Sequence, residues 1–120
     1  MLSGAQKLSR LEKALDHAGN THAVEDIVAL VNAGKAQWWS RGEGTVVTEF
    51  YPFPRRPTVH YWLVSGALSD CLALQPDIER WARSKGCTYA TASGRRGWER
   101  ILPKHGWQLA GVQFAKDLML

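Results

Sequence analysis

The chain has 120 residues, of which 45% are hydrophobic and 22% charged, and a formal net charge of +4. Those values describe one ordinary globular unit and exclude a disordered chain, and no apolar run approaches the roughly 20 residues of a membrane-spanning helix. The positive charge is uneven. Between residues 80 and 104, Arg80, Arg83, Lys85, Arg95, Arg96, Arg100 and Lys104 are balanced only by Glu99, a stripe suited to phosphates, nucleic acid or an acidic protein face.

Residues 5–17 place Leu8, Leu11, Ala14 and Leu15 at intervals of three and four, with charges between them. That spacing predicts an amphipathic helix, peripheral to the rest of the domain. No apolar run follows the first charges, so no signal peptide is expected. Thr21 is the expected N-cap of a second helix through Asn32, with Val24, Ile27, Val28 and Val31 buried and Gly34 as its stop. His22 reads as a surface group.

The apolar period then shortens to two. Residues 36–40 and 45–51 predict a hairpin turning through Arg41, Gly42, Glu43 and Gly44. Pro52, Pro54 and Pro57 enclose Arg55 and Arg56 in a stiff loop. Residues 58–65 are apolar on both faces and predict a central strand covered on two sides, with His60 as a structural histidine. After a connection over residues 66–74, residues 75–85 predict a helix with Pro76 in its first turn. Its inward residues are Ile78, Trp81 and Ala82, and Glu79–Arg83 is the expected surface ion pair.

Residues 87–92 predict a strand. Residues 94–105 predict a short helix with Trp98, Ile101 and Leu102 inward, and residues 107–118 a long last strand with Leu109, Val112, Phe114 and Leu118. The order α-α-β-β-β-α-β-α-β, a hairpin followed by helical crossovers, predicts a single α/β (α+β) domain over residues 1–120. Its central sheet should be mixed, with helices on both faces. Cys71 and Cys87 have no metal-ligand spacing and read as buried reduced thiols, so no metal is expected.

The late helix running from Trp98 to Gly106-Trp107, just before a strand, resembles the GCN5-related N-acetyltransferase (GNAT) fold. A second pattern joins Trp62-Leu63, Leu74-Gln75-Pro76-Asp77-Ile78-Glu79-Arg80-Trp81-Ala82 and Gly94-Arg95-Arg96-Gly97-Trp98. It resembles small acetyltransferase-like proteins of tailed phages and prophages. The resemblance implies acetyl-CoA as donor, its pyrophosphate held by backbone N–H groups of a glycine-rich turn. The corresponding residues are Val64, Ser65, Gly66, Ala67, Leu68 and Ser69, with one glycine and with Asp70 opposing phosphate charge. It also implies a tyrosine acid four residues before Gly106, where this chain has Leu102. Tyr61, Tyr89 and His105 are the remaining candidate proton donors.

Both departures favour a phage or prophage accessory protein, in the host cytoplasm or on the virion, that keeps the fold as a binding scaffold. It would dock a phage structural protein through Arg95, Arg96, Arg100, Lys104, Arg55, Arg56 and exposed tryptophans. The alternatives are an acetyl-CoA-dependent N-acyltransferase with a divergent loop, and a nucleic-acid-binding protein using the same basic residues.

Overall fold

The computed structural model describes residues 10–15, 18–94 and 96–119. The hairpin forms as β1 (Gln37–Arg41) and β2 (Gly44–Tyr51), and β2 pairs antiparallel with β3 (Thr58–Ser65). The crossover from β3 is helical, so the next strand, β4 (Tyr89–Ala92), returns parallel to it. The sheet is mixed, in the order β1-β2-β3-β4.

Helices cover both faces, as the two-sided apolar pattern of β3 requires. One face carries α1 (residues 10–15) and α2 (Val24–Asn32), whose Leu11, Leu15, Val24 and Ile27 pack with Val47 and Leu63. The other carries α3 (Leu68–Ala73) and α4 (Gln75–Ser84), where Cys71, Leu74, Ile78 and Ala82 meet Val46, Val59 and Tyr61. The helix predicted over residues 5–17 is described only at 10–15, and there it is core rather than periphery: Leu11 is fully buried. No helix among the described residues is long and apolar enough to cross a membrane.

Several expectations need correction. The N-cap of α2 is Ala23, whose N–H donates to the Asp26 carboxylate at 2.8 Å, while the Thr21 hydroxyl engages His22 Nδ1 instead. His22 is half-buried, edge-on to Trp62 with ring centres 4.7 Å apart. The connection after β3 contains α3, whose buried face is too short for a periodic signal. In α4 the ion pair is Arg80–Asp77 at 3.0 Å, and no Glu79–Arg83 pair forms among the described residues.

The predicted helix 94–105 is two 3₁₀ turns, Arg96–Arg100 and Leu102–His105. Pro103 supplies no N–H and disfavours helical geometry at the residue before it, which breaks the α ladder. Residues 107–118 do not form the predicted strand. Trp107 is half-buried against Tyr61, but Leu109, Val112, Phe114, Leu118 and Met119 are 69–92% exposed.

Candidate functional site

The β2–β3 register contains the first functional clue. Val47 lies opposite Leu63, but Thr48 lies opposite Tyr61, so Trp62 is an extra residue on β3. Such a bulge bends the strand and turns consecutive side chains to the same face. Trp62 and Leu63 accordingly both join the α1/α2 cluster, while Tyr61 and Val64 join the other.

At the same point β4 leaves β3. Their parallel pairing runs from Thr58↔Tyr89 to Tyr61↔Ala92, with one more bond from Ser93 N–H to the Tyr61 carbonyl. Beyond it, β3 continues to Ser65 without a strand on that side among the described residues. A backbone edge is left open there, able to hydrogen-bond an extended amide-containing ligand.

Beside this divergence is a polar cluster on the face opposite Tyr61. His60 Nδ1 is 2.7 Å from Thr91 Oγ1, and its Nε2 is 3.2 Å from Ser93 Oγ. The Tyr51 ring stacks on the imidazole at 5.5 Å, and its hydroxyl donates to Glu49 Oε1 at 2.9 Å. Burial holds the His60 pKa below the ordinary imidazole value, against the opposing charge of Glu49. Burial and the Glu49 contact push the Tyr51 phenol up to about 12. The cluster therefore offers a neutral imidazole. In the tautomer that carries its proton on Nδ1, that nitrogen donates to Thr91 and Nε2 is the base facing Ser93; in the other tautomer the two roles exchange.

The residues singled out in the sequence do not converge on this place. Tyr61 points into the α4 side of the core, where its hydroxyl is buried without a hydrogen-bond partner and its ring meets Trp107 edge-on. Burial, with Glu79 adding, pushes its pKa upward. Tyr89 lies under the Arg56 guanidinium, 3.5 Å from the ring centre, and His105 is exposed at the end of the second 3₁₀ turn. Of the basic residues, Arg55, Arg56, Arg100 and Lys104 are exposed. Arg95 lies outside the described residues, and Arg96 is placed only by its backbone at the start of the first 3₁₀ turn. All six tryptophans are half-buried rather than exposed.

The segment Val64, Ser65, Gly66, Ala67, Leu68 and Ser69 leads from the bulged half of β3 into α3. It is seated against the β1–β2 turn. A Cβ on Gly66, whose φ is +87°, would overlap the Glu43 carbonyl oxygen, and one on Gly44 would lie 2.8 Å from the Cys71 nitrogen. Asp70 points at this turn and accepts the Glu43 N–H at 3.0 Å. His60, expected from the sequence as a structural histidine, does have hydrogen-bond partners on both ring nitrogens, but Thr91 and Ser93 sit some thirty residues away and are brought near only by the parallel pairing. The alternation His60, Thr91 and Ser93 on neighbouring strands was the available signal.

No family model and no curated protein matches the chain. Solved structures do. A Trypanosoma brucei acetyltransferase superposes with a TM-score of 0.65 at 21% identity, over 98% of this chain and 96% of that one. The BH1408 protein of Bacillus halodurans gives 0.65 at 12% identity, over 93% and 92%. An aminoglycoside acetyltransferase from an uncultured soil sample, solved with sisomicin, gives 0.63 at 13% identity, over 93% and 86%. The chain has the GNAT fold.

Proteins of this fold commonly take an acyl-CoA donor, and the residues present here would fit such a molecule at one end only. The open edge of β3 suits the amide-bearing arm that ends in the thioester. The diphosphate end does not fit: the turn around Glu43 fills the space over Gly66, and Asp70 adds a negative charge beside it.

Proposed function

We propose that this protein is an N-acyltransferase whose donor is an acyl thioester on an extended amide-bearing arm. The observation that carries this reading is the coincidence of the Trp62 bulge with the departure of β4 from β3. The acetyltransferase neighbours support it at the level of fold. The arm lies along residues 62–65, and the acyl carbonyl comes to rest near the divergence. An amine on the acceptor attacks that carbonyl carbon, the C–S bond breaks, and the nitrogen proton passes to His60 Nε2. The leaving thiolate takes a proton from solvent, because the usual tyrosine position holds Leu102.

Thiol release from acetyl thioesters in the presence of a panel of amines tests this directly. His60→Gln should lower kcat by about 10²–10⁴-fold with little change in KM. Because the chain gives the diphosphate no cradle, acetyl-pantetheine and acetyl-CoA should bind with similar affinity in calorimetry. If neither thioester binds and no thiol is released with any amine, the reading falls. If acetyl-CoA binds far more tightly than acetyl-pantetheine, the account of the filled cradle is wrong.

The filled cradle also suits a second reading, a binding scaffold without acyl transfer, for which a phage structural protein is the proposed partner on the sequence resemblance alone. Exposed Arg55, Arg56, Arg100 and Lys104 are its contact residues. The same basic groups suit nucleic acid, and a fluorescent oligonucleotide that does not bind at low salt removes that version.

A further inference from the structure

The transfer step leaves the Ser93 hydroxyl unused, although it stands at the fork between β3 and β4. The Ser93 N–H makes the last bond to β3, reaching the Tyr61 carbonyl at 3.2 Å. Its side chain is exposed, and among the described residues its oxygen meets His60 Nε2 at 3.2 Å and no backbone group. Serine hydroxyls in turns and at strand ends are usually taken up by nearby backbone groups. This one faces an imidazole.

The surroundings suit that hydroxyl to nucleophilic work. The far side of the ring is held, with Nδ1 2.7 Å from Thr91 Oγ1 and the Tyr51 ring stacked on it at 5.5 Å. Nucleophile, base and orienting group are thus Ser93, His60 and Thr91. Thr91 carries no charge, and Glu49 takes that part, since its carboxylate favours the protonated imidazole. Donors for a developing oxyanion are the N–H of Gly94, which has no backbone partner among the described residues, and the open edge of β3. Trp98 packs over Gly94, where an added Cβ would lie 3.3 Å from the indole, and so steadies the backbone next to Ser93.

We infer that Ser93 is an acyl-accepting nucleophile: with His60 as base it takes the acyl group from the thioester as a covalent ester, and the amine then receives it from Ser93. The inference rests on the transferase reading for its donor and divides the single displacement into two. In the first, Ser93 Oγ attacks the thioester carbonyl carbon, the hydroxyl proton passes to His60 Nε2, and the C–S bond breaks. The imidazolium returns that proton to the departing sulfur, so the thiol leaves neutral although Leu102 stands in the tyrosine position. In the second, the amine attacks the ester carbonyl, the C–O bond breaks, and a proton of the amine passes through Nε2 to Ser93 Oγ. The reactive tautomer carries its proton on Nδ1.

Acid-quenched intact-mass spectrometry of the full chain, incubated with acetyl-pantetheine and no amine, should show one added acetyl group, mapped to Ser93 by fragmentation. A subsequent amine should remove it. Ser93→Ala, at an exposed position, should keep the native circular dichroism and form no adduct. It should lower kcat for amine transfer by about 10²-fold or more. Ser93→Cys should carry the acetyl group as a thioester instead. A Ser93→Ala variant as fast as the native chain overturns the inference and leaves the transferase reading standing. If no thioester releases thiol, the transferase reading falls, and p-nitrophenyl acetate, an activated ester without the pantetheine arm, decides for the pair. Acetylation centred on Ser93 and lost in His60→Gln upholds it. Labelling that bypasses Ser93, or that His60→Gln leaves unchanged, overturns it.

Discussion

His60 is placed where burial opposes its charged form more strongly than Glu49 favours it. The role of base proposed for it depends on that balance, and so does its pH signature. The folded pKa lies below the unfolded value of 6.5, so the unfolded chain binds the proton more readily. The stability contributed is therefore present above pH 6.5 and is lost as pH falls from there through the folded pKa. With an acceptor amine that is already unprotonated at neutral pH, acyl transfer should stay level through neutral pH and decline only below the range of an ordinary histidine, and a pH–kcat/KM profile with such an acceptor checks this. With that acceptor, a fall with an apparent pKa above 6.5 would remove His60 as the base. Tyr61 is the opposite case, a buried hydroxyl with no partner. Since an unsatisfied buried polar group costs about 1–3 kcal/mol, Tyr61→Phe should leave the denaturant midpoint unchanged or raise it. A marked loss of stability would mean that the hydroxyl has a partner. A loss of kcat in a Phe variant of unchanged stability would return Tyr61 to the catalytic set.

At the scale of elements, the β1–β2 turn, the connection at Gly66 and α3 form one packed unit. Gly66 combines a positive φ with backbone contact to Glu43, so Gly66→Ala should destabilise the fold by at least about 2 kcal/mol in chemical denaturation. A neutral result would mean that the turn is not seated there. This packing gives Asp70 its meaning. In sequence it reads only as a charge opposing phosphate, whereas in the fold it accepts the Glu43 N–H. Elements with a long apolar period were legible: β3, α4 and α2 fall where their patterns place them, although of the α2 stripe only Val24 and Ile27 are buried, Val31 is half-buried and Val28 is exposed. The failures share a cause. α3 is one and a half turns long, the segment around Pro103 cannot hold an α ladder, and a strand pattern after Trp107 does not by itself provide an edge to pair with.

For the whole molecule, a four-stranded mixed sheet separates two apolar clusters and opens at the carboxyl ends of its parallel pair. The sequence by itself determined the number and kind of most elements, the mixed sheet and its two covered faces. Apolar periodicity and turn chemistry are local properties, and a connection long enough to hold a helix dictates a parallel return. Only the tertiary structure decided the site. The bulge is a register event between two strands, His60 meets Thr91 and Ser93 through pairing across some thirty residues, and the turn at Glu43 fills the cradle from another part of the chain. Each depends on contacts between residues distant in sequence, which no local pattern encodes.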